Sequence, residues 1–244
     1  FEIEARLRKE LDIPVFHDDQ HGTAIVTLAA LINALKLVKK SFADVRIVIN
    51  GAGAAGISVA RLLRMAGAVN IWMCDSKGII SINRTDLTPE KQEFAVDAKG
   101  TLAGAMGNAD VFIGLSAPGV LTKEMVQSMA KNAIVFAMAN PIPEIQPELI
   151  RDEVAVVATG RSDYPNQINN VLAFPGVFRG ALDCRSSAIT TNMYLEAAFA
   201  IASLINPSDL HPENIIPSVF DKRVSNVVAA AVQKSARQEG IART

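Results

Sequence analysis

Residues 46–56, RIVINGAGAAG, decide the fold of this chain, because they join an apolar run to three glycines spaced for a tight turn. The run Val45–Asn50 is typical of a buried strand, and the residues after it predict a helix. Gly51 allows the turn, Gly53 lets a phosphate approach the backbone, and Gly56 lets the helix pack against the strand. The pattern predicts a dinucleotide-binding turn with its pyrophosphate at the helix N-terminus. A plain tight turn in an α/β protein is the alternative.

The surroundings of the turn favour dinucleotide binding. A second apolar strand, Asn70–Cys74, ends at Asp75, which lies 19 residues beyond Gly56. An acid at this distance accepts hydrogen bonds from the adenosine ribose, which favours NAD over NADP. Ser76 and Lys77 leave NADP open, because they are able to bind a 2′-phosphate. Further candidate cofactor contacts are Ala54, Ala55 and Ser116.

Strands and helices alternate outward from the turn, which predicts an α/β fold with a doubly wound, Rossmann-like parallel sheet. The three remaining predicted strands are Asp110–Leu115, Ala133–Met138 and Val154–Ala158. Helices are predicted at Thr23–Lys39, which is mostly apolar, and at Thr85–Ala98, and a strand or extended piece at Ile13–Phe16. The alternation stops near residue 160, so we expect a helical C-terminal extension. The predicted segments are 1–22 (a linking segment with a metal-site loop), 23–180 (the NAD(P)-binding domain) and 181–244 (the extension).

Composition excludes several classes of protein. The 244 residues carry a formal net charge of −1, which gives no electrostatic footprint for nucleic acid or an anionic membrane. No run of about 18 uninterrupted apolar residues is present, so no membrane span is expected. The two cysteines are too few for a disulfide framework, and their spacing is not that of zinc ligands. A reducing, cytoplasmic location is therefore the default expectation.

An acidic loop precedes the first long helix. Asp18 and Asp19 lie side by side, and such a pair is costly unless something neutralises the charges. Mg²⁺ or Mn²⁺ is one solution, because both ions prefer carboxylate oxygens. The alternative is that one aspartate caps the helix and the other is exposed. His17 and His21 are four residues apart, but the pattern of zinc proteases is missing.

Several motifs in order extend this pattern along the chain: HDDQHGTA at 17–24, NGAGAAG at 50–56, ANPIPE at 139–144, TGRSDYPNQINNVLAFPG at 159–176 and IIPSVFDKRV at 215–224. Together they strongly resemble the bacterial small-subunit malic enzymes over essentially the whole chain. The resemblance implies oxidation of malate by NAD or NADP and decarboxylation to pyruvate and CO₂, with Mg²⁺ or Mn²⁺ required.

The resemblance also implies roles for single residues. Asp19 matches the metal-binding carboxylate, and Asp18 matches the partner of the catalytic lysine and is a second candidate ligand. Asn140 matches an asparagine near the substrate and the nicotinamide. Asn170 matches the asparagine that hydrogen-bonds malate, with Asn169 beside it. Asn140 follows a predicted strand, where ligands of parallel sheets bind, although a turn or cap role is the alternative for each asparagine.

In this family a tyrosine acid, a lysine base and two further metal carboxylates lie before the point that matches Phe1. We therefore expect a fragment that binds NAD(P) and oxidises malate poorly by itself, and a homodimer or larger homo-oligomer in the complete protein. Two alternatives remain open. One is a malolactic enzyme, which converts malate to lactate, and the other is a non-catalytic NAD(P)-binding module. Retention of both aspartates and the asparagines argues against the module.

Overall fold

A six-stranded sheet forms the centre of the fold in the computed structural model, which describes residues 1–243. The strands are Arg46–Asn50 (β1), Asn70–Asp75 (β2), Gly78–Ile79 (β3), Val111–Gly114 (β4), Ile134–Ala137 (β5) and Val156–Thr159 (β6). Their order across the sheet is β3-β2-β1-β4-β5-β6. All neighbours pair in parallel except β3, which pairs antiparallel with β2 at one edge. The parallel order confirms the predicted fold class.

Both faces of the sheet are covered, which explains why the strands read as continuous apolar runs. The helices are Glu2–Glu10 (α1), Thr23–Val38 (α2), Ala54–Met65 (α3), Pro89–Gln92 (α4), Leu102–Met106 (α5), Lys123–Gln127 (α6), Phe174–Asp183 (α7), Thr191–Ser203 (α8) and Arg223–Gln238 (α9). Ile47 and Ile49 of β1 share one core with α2, α3 and the three C-terminal helices. Val48 points to the opposite core, which α5 and α6 close.

Helix α2 explains the most apolar stretch of the sequence. Counted with the turn before it, Asp18–Val38 is long and apolar enough to cross a membrane. However, 72% of that window is buried inside the fold, and every residue from Thr23 to Leu35 is buried. The hydropathy of α2 is therefore that of a helix surrounded by protein.

The C-terminal helices pack closely on one another and on α2. A Cβ atom on Gly176 would lie 2.5 Å from Val228 Cβ, and one on Gly180 would lie 2.6 Å from the Ala229 carbonyl oxygen. The two glycines therefore let α7 approach α9 at a distance that side chains would prevent. On α2, the Asn33 amide donates to two carbonyl oxygens of the C-terminal part, those of Ala202 and Ile215. The predicted helical extension shares its core with the sheet.

The structure differs from the sequence expectations in three places. The predicted helix 85–98 is reduced to α4, because Val96 instead pairs with Ser81 beside the sheet and Phe94 is buried. Tertiary contacts override helix propensity there. The sequence pattern missed β3 and α5, which are too short to show a period. Ile13–Phe16 joins no strand, since Ile13 lies in a bend and residues 14–16 have no regular secondary structure.

Candidate functional site

The glycine turn between β1 and α3 has no room for side chains at its two ends. Gly51 adopts φ +124°, and a Cβ atom there would lie 2.4 Å from the Leu115 carbonyl oxygen. A Cβ atom on Gly56 would lie 1.8 Å from the Gly51 carbonyl oxygen. The first glycine is therefore required by conformation and contact, and the last by contact with the turn itself.

The middle of the turn is open. A Cβ atom on Gly53 would meet no heavy atom of the described chain within 4 Å. Gly53 caps α3 without a side-chain hydrogen bond, which leaves the first N–H groups, including those of Ala54 and Ala55, facing this space. An open space beside an uncapped helix N-terminus suits a pyrophosphate.

A side-chain contact joins the carboxyl ends of β1 and β4 beside the turn. Asn50 Nδ2 donates to Ser116 Oγ at 2.7 Å, and the Leu115 N–H donates to the Asn50 carbonyl oxygen at 2.8 Å. Asn50 is buried, so its amide needs a partner inside the protein. The predicted cofactor contact Ser116 therefore lies in the loop next to the glycine turn.

Asp75 at the end of β2 is surrounded by cations. Arg84 makes a bidentate contact with its two oxygens at 2.8 and 3.0 Å, and Lys91 Nζ lies 2.8 Å from Oδ2. The Lys77 N–H donates to Oδ1 at 3.0 Å. Burial opposes ionisation, but these hydrogen bonds lower the pKa of Asp75 to about 2. All four acceptor positions of the carboxylate are engaged, so a ribose hydroxyl must displace one of these donors.

The acidic loop folds into a single helical turn, Asp18–Gly22, directly before α2. Asn170 Nδ2 donates to the Asp18 Oδ2 and carbonyl oxygens at 3.3 Å each, and Thr23 Oγ1 donates to Asn170 Oδ1 at 3.2 Å. Asp18 Oδ1 is buried and has no hydrogen-bond partner among the described residues. Burial, as the largest cause, raises the pKa of Asp18. Asp19 is exposed.

The other asparagines lie in the loops that follow neighbouring strands, Asn140 shortly after β5 and Asn169 farther along the chain after β6. Asn140, which precedes a cis peptide bond, and Asn169 line one open depression together with Arg161. Arg161 donates to the Pro141 carbonyl oxygen at 3.1 Å and is paired with Asp163. Asn169 Oδ1 also accepts from the N–H of the residue two positions on, which is the alternative cap role. Asn140 and Asn169 thus share one depression, whereas Asn170 joins the acidic turn.

Sequence reasoning missed Glu144. Its side chain is fully buried, and its two oxygens accept from the Ser116 N–H at 3.1 Å and the Ala139 N–H at 2.9 Å. Burial raises the pKa of this carboxyl, although the hydrogen bonds oppose the shift. Glutamate is seldom fully buried, but nothing in the local pattern marks it. The ANPIPE motif that contains it was the one available signal.

These features occupy the carboxyl edge of the sheet, where open α/β sheets bind ligands. Thr27 near the start of α2 contacts Met138 Sδ at 3.6 Å, which brings the acidic turn next to the loop of Asn140. Residues 20–237 match the family model described as malic enzyme, NAD binding domain. The chain belongs to the malic enzyme family.

The curated relatives of this chain differ in the nicotinamide cofactor that they are named for. A NAD-dependent malic enzyme of Geobacillus stearothermophilus is 55% identical over 248 residues, with 100% of this chain and 52% of that protein covered. A NADP-dependent malic enzyme of Rhizobium meliloti is 50% identical over 264 residues, covering 100% and 35%. A bifunctional malic/malolactic enzyme of Bacillus subtilis is 57% identical over 250 residues, covering 100% and 61%. The nicotinamide cofactor thus varies among the relatives, NAD being named for one and NADP for another.

The fold also matches solved malic enzymes. The structure of Entamoeba histolytica malic enzyme superposes with a TM-score of 0.95 at 42% identity, over 100% of this chain and 53% of that one. The match confirms the predicted resemblance to malic enzymes and the predicted Rossmann-like sheet. The chain spans about half the length of the Geobacillus relative and about a third of the Rhizobium one.

The carboxylates of the acidic turn in this malic enzyme chain are of the type that binds a divalent cation, but they are too few to hold one alone. Asp18 offers a buried oxygen without a partner, and Asp19 offers an exposed carboxylate beside it. Oxygen donors of this kind suit Mg²⁺ or Mn²⁺. However, the described residues contain no group of three His, Cys, Asp or Glu side chains that would hold an ion. The chain thus offers at most part of a metal shell.

Proposed function

We propose that the complete protein carries out the oxidative decarboxylation of (S)-malate to pyruvate and CO₂ with NAD(P)⁺ and a divalent metal, and that this chain is its cofactor-binding half. One observation carries the proposal. Asp18, with a buried unpartnered oxygen, contacts Asn170 at the same sheet edge as the open glycine turn. A dinucleotide module without catalysis has no need for a half-buried carboxylate with an unpartnered oxygen at this place.

Each residue has a distinct proposed task. The glycine turn and the first N–H groups of α3 bind the pyrophosphate, and Ser116 lies beside it. The amides of Asn140 and Asn170, with Asn169 beside them, hydrogen-bond malate. Asp18 holds the lysine base in place, and Asp19 together with Asp18 would hold the metal. The metal supplies Lewis-acid polarisation of the malate hydroxyl when bound.

The experiment that tests the proposal is product analysis with the full-length protein. With malate, NAD⁺ or NADP⁺ and Mn²⁺, we expect equal amounts of pyruvate and reduced cofactor. Omission of the metal should abolish both products. Absence of reduced cofactor in the complete mixture, with cofactor binding intact, would contradict the proposal.

A malolactic reaction is the second candidate, because the Bacillus subtilis relative is described as a bifunctional malic/malolactic enzyme. The same assay separates the two reactions. Lactate without net cofactor reduction identifies the malolactic reaction, and pyruvate with reduced cofactor identifies the malic one.

We further propose NAD as the preferred cofactor, with NADP accepted. Asp75 disfavours a 2′-phosphate, but Arg84 and Lys91 neutralise it and weaken the repulsion. Replacement of Asp75 by alanine should release both cations for a 2′-phosphate. We expect the ratio of NADPH to NADH affinity to rise by about tenfold or more, as for a new charge-assisted hydrogen bond. Fluorescence titration with each reduced cofactor measures this ratio.

The matched control is Asp86→Asn in the same ionic cluster. Asp86 contacts Lys77 and Arg84 but is more exposed than Asp75. We expect its substitution to change the cofactor ratio by less than about threefold, as for an exposed pair. An unchanged ratio in Asp75→Ala would show that Asp75 does not discriminate between the cofactors.

The complete protein is also proposed to be a cytoplasmic homodimer or larger homo-oligomer that binds neither nucleic acid nor membranes. The near-zero formal charge of this chain supports the second part. Light scattering of the full-length protein tests the first, and a monomeric mass would contradict it.

A further inference from the structure

The buried carboxylate of Glu144 connects two loops of the sheet edge. One oxygen accepts from Ser116, which follows β4, and the other accepts from Ala139, which follows β5. The backbone repeats the connection, because the Leu121 N–H donates to the Glu144 carbonyl oxygen at 3.1 Å. A single side chain thus sets the spacing of the loops that carry Ser116 and Asn140.

The sheet leaves a specific space for this carboxylate. A Cβ atom on Gly114, the last residue of β4, would lie 2.3 Å from the Glu144 carboxyl carbon and 2.5 Å from its Oε1. The carboxylate therefore lies against a strand position where no other residue type fits without a shift. The close approach makes its position specific.

No ion pair with a described cation stabilises the ionised form of Glu144. Burial and backbone hydrogen bonds are the influences that shift its pKa, and no described cation contributes. An isolated buried carboxylate is costly compared with a neutral side chain. Two N–H donors that converge from opposite loops explain the residue type, because only a carboxylate presents an acceptor oxygen to each.

We propose that Glu144 is a positioning residue that holds the loops after β4 and β5 at the separation that the bound nicotinamide cofactor requires. The inference rests on the proposed placement of the cofactor along this edge. Glu144 itself lies beneath the loops and acts through Ser116 and through the backbone that leads to Asn140. Loss of its bridge frees two N–H groups and lets the loops separate.

The first test is Glu144→Gln in the full-length protein, with NAD⁺ affinity measured by calorimetry without malate. Glutamine keeps one acceptor and turns an amide N–H group toward the second donor. We expect binding to weaken about tenfold, as for one buried donor left unsatisfied. Amide hydrogen exchange should become faster at Ser116 and Ala139. Equal affinity in the variant and the native protein would overturn the inference.

A pH profile separates positioning from a general loss of stability. Protonation of Glu144 removes one acceptor, so native NAD⁺ affinity should decrease as the pH falls through the raised pKa of this carboxyl. Glu144→Gln should lack this component of the pH profile. Identical profiles in the two proteins would contradict the role.

Two more variants complete the test. Gly114→Ala keeps the glutamate at position 144 but places a methyl group where its carboxylate lies. It should weaken NAD⁺ binding as Glu144→Gln does, and it tests the bridge even if Glu144→Gln fails to fold. Glu124→Gln on the exposed face of α6 is the matched control and should bind as the native protein does. Native affinity in Gly114→Ala would count against the bridge. A native protein that binds NAD⁺ but does not oxidise malate would contradict the proposed function and leave this inference standing.

Discussion

Gly56→Ala is expected to be the most destabilising single substitution in the cofactor turn. The new Cβ atom would lie 1.8 Å from the Gly51 carbonyl oxygen, which is backbone and has no free rotation to escape. Relief requires α3 to move away from β1 in a close-packed core, so we expect a loss of roughly 3 kcal/mol or more in the free energy of unfolding. Chemical denaturation of the full-length protein measures it.

Gly53→Ala is the matched control three residues earlier. Its Cβ atom would enter open space, and its φ of −89° suits alanine, so stability should change by less than about 0.5 kcal/mol. NAD⁺ affinity should nevertheless fall by about tenfold or more, because the methyl group occupies the space through which the pyrophosphate reaches the helix N–H groups. Native stability in Gly56→Ala, or native affinity in Gly53→Ala, would contradict the assignment of the turn.

Asp18→Asn is expected to have the largest effect on catalysis. The substitution keeps shape but removes the negative charge whose Oδ1 has no partner among the described residues. Because Asp18 is proposed to hold the lysine base in place, we expect malate turnover by the full-length protein to fall by about 10²–10⁴-fold, the range for loss of a proton-transferring group. NAD⁺ affinity should be unchanged, because Asp18 contacts Asn170 and not the glycine turn.

The same variant should not be less stable. Burial raises the pKa of Asp18, which means that the ionised form is disfavoured in the folded protein, and asparagine removes that cost. A melting temperature at or above the native value together with lost turnover is the combination expected of a functional charge. Asp12→Asn, at an exposed side chain in the same segment, should retain full turnover. Unimpaired turnover in Asp18→Asn would refute the role of Asp18.

The positions of most strands were predictable from the sequence, because their apolar runs coincide with burial in the fold. The runs that became β1, β2, β4, β5 and β6 are apolar in their interior, because both faces of a parallel sheet are covered. The glycine spacing located the turn between β1 and α3 for a similar reason, since two of the three positions admit no side chain. Local rules succeed when the constraint on a residue comes from its immediate neighbours.

Other features depend on partners far away in sequence. Arg84 and Lys91 reach Asp75 only because the chain after β3 returns along the sheet edge, and the same return prevents the predicted helix at 85–98. Glu144 takes its role from Ser116, which lies on another loop. No period or short motif encodes such pairings, so they appear only in three dimensions.

Helix α2 extends about 24 Å through the protein and is held at both ends. Near one end, Thr23 contacts Asn170 and Thr27 contacts Met138. Toward the other end, the Asn33 amide donates to the Ala202 carbonyl oxygen of α8. We expect a buried helix that is fixed in this way to move as a rigid body. Substitutions that repack the C-terminal helices should therefore displace the acidic turn by two routes, through α2 and through the direct stacking of Tyr194 of α8 on His21.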